Sequence, residues 1–194
     1  MKLDAANYWD NRYQTQDTGW DLGEISPPLK NYIDDLEDKS LQILLPGAGN
    51  AYEAEYLFNN GFKNVFVLDI SETAIRNFEN RCPWFPKNQL LHQDFFDLEM
   101  RFDLVIEQTF FCALPPDLRS EYAIQMEKIL DSGKQLIGLL FDFPLTEKGP
   151  PYGGNKAEYS SYFEPYFEIN HMDTAKDSHT TRKGKELFIK LKRK

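Results

Sequence analysis

A chain of 194 residues, 41% hydrophobic and 27% charged, has an ordinary globular balance and enough length to bury one sizeable core. Its net charge of -9 argues against a surface that neutralises phosphates, so nucleic acid is excluded as the expected partner. Two cysteines, Cys82 and Cys112, make no disulfide framework, the opening MKLDAANYWD lacks the apolar run of a signal peptide, and no segment has the apolar length of a membrane span, so a reduced cytoplasmic chain with no membrane partner is expected.

Residues 1–38 are polar and aromatic. A short helix is expected over Asp4 to Tyr13, which brings Tyr8, Trp9, Arg12 and Tyr13 near one another by helical spacing. Pro27 and Pro28 open a second helix over Leu29 to Leu36, with Ser26 as its cap. Strand and helix signals alternate from residue 41. Leu41 to Leu45 is a short apolar strand ending in Pro-Gly, and Asn50 to Asn60 has helical spacing and stops at Gly61. Val65 to Leu68 is a second strand closed by Asp69, and Ser71 caps a helix running to Asn80. Gln89 to Leu91 and Phe102 to Ile106 are the third and fourth strands. Pro116 to Leu130 is an amphipathic helix ending near Gly133, and Gln135 to Phe141 is a fifth, apolar strand. Such continuous apolar runs suit a parallel sheet covered on both faces.

Beyond Phe141 the pattern changes. Phe143 to Tyr152 is rich in Pro and Gly and reads as a loop, and Asn155 to Phe163 reads as a helix. Phe167 to Met172 and Glu186 to Leu191 read as an antiparallel pair at one edge. The tail from Arg182 to Lys194 carries seven basic residues against Glu186 and reads as a solvated last strand and terminus. The sum is one α/β domain over residues 1–194: a doubly wound sheet over 39–194 preceded by a cap or lid over 1–38.

The first strand runs into Pro46-Gly47-Ala48-Gly49-Asn50-Ala51-Tyr52-Glu53. A glycine turn between a strand and a helix lets a ligand approach the backbone, and Asp69, about 20 residues on, can accept the hydroxyl hydrogens of a ribose. Dinucleotides and S-adenosylmethionine both use this arrangement. The third glycine of the dinucleotide pattern is missing and the chain has no room for a second domain. The aromatic segment before the first strand suits a lid over a sulfonium, because aromatic faces attract cations. After the third strand, Asp94 is placed to bond an adenine amine and Phe95 to pack on the ring; the alternative is a turn with core phenylalanines. Glu107-Gln108-Thr109-Phe110-Phe111-Cys112 follows the fourth strand, opposite the glycine turn.

These motifs resemble the thiopurine S-methyltransferase family, and within it the thiol and halide methyltransferase branch. The marks run in order along nearly the whole chain: Thr18-Gly19-Trp20-Asp21-Leu22-Gly23, Leu45-Pro46-Gly47-Ala48-Gly49, Leu68-Asp69-Ile70-Ser71, Asp94-Phe95-Phe96, Phe102-Asp103-Leu104-Val105, Thr109-Phe110-Phe111-Cys112-Ala113-Leu114, Gly149-Pro150-Pro151-Tyr152 and Thr181-Arg182-Lys183-Gly184-Lys185-Glu186. The resemblance implies a class I, Rossmann-like methyltransferase fold, a seven-stranded mostly parallel sheet with helices on both faces. It implies S-adenosylmethionine as donor and S-adenosylhomocysteine as product. By matching position, Trp9, Tyr13 and Trp20 form the lid, Gly47, Gly49 and Asp69 hold the methionine and ribose parts, Asp94 and Phe95 hold adenine, and Gln108 lines the same site. The chain departs from the family at Ala48, Ala51, Glu53, Tyr13 and the pair Glu107-Gln108.

Methyl transfer from a sulfonium to an anionic nucleophile needs alignment in a dry pocket more than it needs an acid–base dyad. No triad spacing is visible, and His92, His171 and His179 make no metal-ligand cluster, so no metal is expected. Tyr152 is the candidate catalytic residue in the acceptor pocket, and Cys112 reads as an inert buried thiol. The expected partner is a small-molecule acceptor (a thiol, thiopurine or halide) and the expected state a monomer. An oxygen or nitrogen methyltransferase of a metabolite, or a nucleotide-binding module without catalysis, are the alternatives.

Overall fold

The computed structural model describes the backbone from Lys2 and the side chains from Ala5 onward, to Lys194. Helix α1 spans Lys2–Gln14 and α2 Pro27–Asp34. Strand β1 (Ile43–Pro46), helix α3 (Tyr52–Asn59), strand β2 (Val65–Asp69), helix α4 (Glu72–Arg81), strand β3 (Leu90–His92) and strand β4 (Phe102–Gln108) follow. The second half comprises α5 (Arg119–Ile129), β5 (Leu130–Phe141), α6 (Lys156–Phe163), β6 (Phe167–Thr174) and β7 (Glu186–Arg193).

The seven strands form one sheet in the order β3-β2-β1-β4-β5-β7-β6. The first five are parallel, and β7 runs antiparallel between β5 and β6. The strand order reverses between β1 and β4, which in an open α/β sheet opens a crevice at the carboxyl ends of those strands. Helices α2, α3 and α4 cover one face through Leu29, Ile33, Leu57 and Phe78, packed on Ile43, Leu45, Val65 and Ile106. Helices α5 and α6 cover the other through Tyr122, Met126, Ile129 and Phe163, packed on Leu44, Val105 and Leu136. Burial on both faces explains why the central strands read as unbroken apolar runs. Among the described residues, no helix is long and apolar enough to cross a membrane.

The elements fall close to where the residue pattern puts them, with ends moved by a few residues, as in α5, which begins at Arg119 after a 3₁₀ turn over Pro116–Leu118. Helix α3 begins at Tyr52 rather than Asn50, because Ala51 takes a left-handed conformation with φ of 51° and breaks the helical run before it. Ser71 caps α4 as expected, its hydroxyl accepting from the Ala74 N–H, whereas the Ser26 hydroxyl makes no bond to α2. Gly133 does not end a helix. Buried Leu130 already pairs with Phe102, so β5 starts directly after α5, and Gly133, with φ of 80°, lies in an irregular stretch where the register to β4 shifts.

Candidate functional site

The turn after β1 is built on positive backbone angles. Gly47 and Gly49 have φ of 55° and 54°, which side chains rarely tolerate. Close approach adds a second reason for glycine. A Cβ at Gly47 would lie 2.2 Å from the Phe110 ring, and one at Gly49 would lie 2.3 Å from the Tyr13 hydroxyl. The glycines therefore admit side chains from the fourth strand's loop and from α1. Ala51 is the position where the third glycine is missing, and it holds the same left-handed geometry at 1% exposure. The turn survives, with strain of about 1–2 kcal/mol at that residue.

Asp69, 5% exposed, ends β2 and reaches across to the turn. One carboxylate oxygen accepts from the Gly49 N–H at 2.8 Å and the other from the Ser71 N–H at 2.8 Å. Burial pushes its carboxyl above the usual range, opposed by these N–H groups and that of Ile70. Two bonds leave a carboxylate with acceptor capacity to spare, since it offers about four lone-pair sites. A glycine turn at positive φ beside a buried carboxylate of this kind fits a ribose-bearing ligand.

The aromatic residues of the first 20 positions do come together. Trp9 meets Trp20 edge to face at 5.3 Å, and Tyr13 meets Trp20 at 5.7 Å. The Arg12 guanidinium already lies over Trp20, 4.9 Å from the ring centre. Two carboxylates fasten this segment. Asp10 accepts from the Ser71 hydroxyl and the Thr73 N–H, both at 2.8 Å, and Asp21 accepts from the Asn50 amide and the Tyr52 hydroxyl.

Gln108 sits at the end of β4, where Leu29, Leu45, Pro46, Ala48, Glu53 and Ile106 complete a small cavity. With its amide turned so that the nitrogen faces Glu53, it bridges two buried groups, donating to Glu53 at 2.9 Å and accepting from Arg182 at 3.2 Å. Arg182, 7% exposed, also donates to Glu186 at 3.3 Å and to the Trp20 carbonyl. Burial pushes the Glu53 carboxyl up, against a bond from the Ser26 N–H and the pull of Arg182. Sequence reasoning missed Glu53, Arg182 and Glu186. The signal available was an acid in the first turn of the helix after the glycines, and a basic residue four positions before an acid in the tail.

Asp94 caps the 3₁₀ turn 95–97 by accepting from the Phe96 N–H at 2.9 Å, and Phe95 is buried against Phe110 and Tyr122 at ring distances of 5.2 and 5.5 Å. Phe95 thus supports the ring that stands on Gly47. Glu107 is fully buried, and one oxygen accepts from the N–H groups of Phe110 and Phe111 at 2.7 and 2.8 Å. Between them Thr109 is held at φ of 61°, a strained state for a β-branched residue. Burial pushes the Glu107 carboxyl up to about 7, with Glu186 adding to the rise and the two N–H groups opposing it.

Tyr152 is brought to the same end of the sheet. Its N–H donates to the Cys112 carbonyl at 2.7 Å, which folds the Pro-Pro-Tyr loop onto the turn after β4. Fully buried Arg119 holds that loop, donating to the Gly153 carbonyl at 2.8 Å and to Glu158 at 2.6 Å. Burial pushes the Cys112 thiol well up, with Glu107 adding to the shift, and the thiol donates to the Thr109 carbonyl. The three histidines lie apart: His92 against the Ile70 carbonyl, His171 beside Asp173 and His179 beside Thr181.

Comparison with known proteins matches this layout. The chain is 31% identical over 170 residues to a probable thiol methyltransferase 2 of Arabidopsis thaliana, covering 85% of this chain and 75% of that protein. It is 27% identical over 193 residues to thiocyanate methyltransferase 1 of the same plant, covering 95% and 84%. The fold superposes with a TM-score of 0.80, at 14% identity, on 1,6-didemethyltoxoflavin-N1-methyltransferase of Burkholderia thailandensis, solved with 1,6-didemethyltoxoflavin and S-adenosylhomocysteine; the match covers 97% of this chain and 87% of that one. The family model described as thiopurine S-methyltransferase matches residues 4–193. With a class I, Rossmann-like sheet and that match over nearly its whole length, the chain belongs to the thiopurine S-methyltransferase family of methyltransferases.

Proposed function

We propose that the chain transfers a methyl group from S-adenosylmethionine to a small sulfur or halide acceptor (a thiolate, a thiopurine or a halide) by in-line displacement. The observation that carries the donor half is the junction of Asp69 with the Gly49 N–H, flanked by two glycines at positive φ. Bound there, S-adenosylmethionine supplies a methyl group activated by a sulfonium. Asp69 accepts the ribose hydroxyl hydrogens, the backbone of Gly47 and Gly49 meets the methionine end, and Asp94 serves the adenine end, with Phe95 holding Phe110 from the core side. Trp9, Tyr13 and Trp20 cover the site and exclude water. Gln108 lines the crevice between the donor turn and the acceptor pocket.

The acceptor class is supported by the relatives, which are named for thiol and thiocyanate. The cavity beside Gln108 has apolar walls formed by Leu29, Leu45 and Ile106. A dry pocket of this kind suits a nucleophile that arrives ionised, and alignment then supplies most of the rate. Tyr152, tied to Cys112, closes the acceptor side. Two free buried cysteines fit the reducing cytoplasm.

Calorimetry with S-adenosylmethionine, S-adenosylhomocysteine and NAD tests the donor. Binding of NAD alone overturns it. With the donor bound, turnover is expected with at least one of bisulfide, small thiols, thiocyanate, iodide and a thiopurine. No methylation of any sulfur or halide overturns the acceptor class.

A further inference from the structure

Helix α1 is fastened to the start of α4 by the Asp10 carboxylate. Asp10 accepts from the Ser71 hydroxyl and the Thr73 N–H with one oxygen, while the other accepts from Gln14 one turn on. Thr73 and Ala74 carry two of the first N–H groups of α4, which have no partner inside the helix. Asp10 takes the first and the Ser71 hydroxyl takes the second. A negative charge at this end of a helix is also favoured by the aligned peptide dipoles.

What makes this seat more than a helix contact is the residue it shares. The N–H of Ser71 donates to Asp69, and the other oxygen of Asp69 holds the Gly49 N–H. Ser71, bonded to Asp10 through its hydroxyl and to Asp69 through its N–H, thus links α1 to the residue that holds the glycine turn. Trp9 precedes Asp10, and Tyr13 follows it by three residues, with its hydroxyl against Gly49. With α1 seated, the Tyr13 hydroxyl rests against Gly49 and the cluster of Trp9, Tyr13 and Trp20 lies over the glycine turn, so the seating of α1 bears on access to that turn.

We propose that Asp10 is the latch of this lid, a positioning residue that seats α1 on the start of α4 and sets how long the methyl donor stays bound. The proposal rests on the reading that the donor occupies the Gly47–Asp69 site. Asp10 touches neither donor nor acceptor, so its loss affects donor residence and not the chemical step.

The test uses the full chain with S-adenosylhomocysteine as the probe, followed by calorimetry and by stopped-flow fluorescence of the tryptophans. Asp10→Ala is expected to speed release about tenfold and weaken affinity by a similar factor, the scale of losing a charged helix cap. Amide exchange across residues 5–14 accelerates in the same variant. Asp10→Asn keeps an oxygen for the Ser71 and Thr73 donors and is expected to recover most of the loss, which separates the latch from a general folding defect. In turnover, Asp10→Ala raises KM for the donor and leaves kcat and the acceptor KM within about twofold. Faster exchange of α1 with unchanged release and affinity overturns the latch, because the seat and donor residence are then independent. A large fall in kcat at saturating donor overturns it as well. If the wild-type chain does not bind S-adenosylhomocysteine at all, the donor reading itself fails, and that result is distinguishable from the others before any variant is made.

Discussion

Asp69 has two jobs: it ties the glycine turn to β2 and, in our reading, it accepts ribose hydroxyls with its remaining lone pairs. Asp69→Ala is therefore expected to weaken donor binding by about 1–3 kcal/mol, the scale for hydrogen bonds to a charged group. An unchanged dissociation constant in calorimetry rules out that role. Glu107 gives a prediction of a different kind. Its carboxyl titrates near 7 in the folded protein against an ordinary value of 4.5, so the folded state holds the proton more tightly than the unfolded chain. The stability it contributes is fully present below about pH 4.5 and is lost as pH rises through 7, a swing of about 3 kcal/mol. Glu107→Gln keeps an acceptor for the Phe110 and Phe111 N–H groups but cannot ionise. Denaturant unfolding at pH 5 and pH 8 should therefore differ less in this variant than in the wild type. An undiminished difference would show that other groups carry the effect.

At the scale of elements, the start of α3 and the Tyr152 loop show how neighbouring segments are pinned. Ala51 and Ala54 are both buried in the same short helical region, yet only Ala51 has a positive φ. Ala54→Gly, inside the helix, is expected to cost about 1 kcal/mol or more. Ala51→Gly should cost little or nothing, because relief of the left-handed strain offsets the lost methyl. Equal losses in the two variants would mean the turn is not strained. The loop depends on Arg119, whose charge is buried between Glu158 and the Gly153 carbonyl. Removing one partner of a buried pair typically costs 3–5 kcal/mol; with Glu158 partly exposed, about 2–3 kcal/mol is expected for Arg119→Ala. Tyr152→Phe is expected instead to change turnover more than donor affinity, while the reverse pattern would move Tyr152 to the donor side.

Over the whole molecule, hydrogen bonds tie the N-terminal segment to distant parts of the chain. Arg182 in the tail donates to the carbonyl of Trp20, 162 positions away, and Asp10 reaches Ser71 across 61. A ligand that binds only the folded state adds stability by mass action, about 2.7 kcal/mol at a hundredfold excess over its dissociation constant. S-adenosylhomocysteine at that excess should raise the unfolding temperature, and because all seven strands belong to one sheet, the transition should stay single.

Much of this was legible in the sequence. The apolar runs at Ile43, Val65, Phe102 and Leu136 gave the central strands, because burial on both faces leaves no room for polar residues. Gly47, Gly49 and Asp69 marked a ligand turn, because local backbone geometry selects those residue types wherever they occur. The charged partners were not legible. Glu53 meets Arg182 through Gln108, and Arg119 meets Glu158, only because the sheet inserts β7 between β5 and β6 and packs α6 beside α5. Such pairings depend on which elements lie side by side, and no local pattern in the chain records that. The sequence by itself determined the strands, the glycine turn and the family. The tertiary structure decided which buried charges face one another across the crevice and how the first helix is seated on the fourth, since low dielectric and close approach give those contacts their energy only after the fold has brought them together.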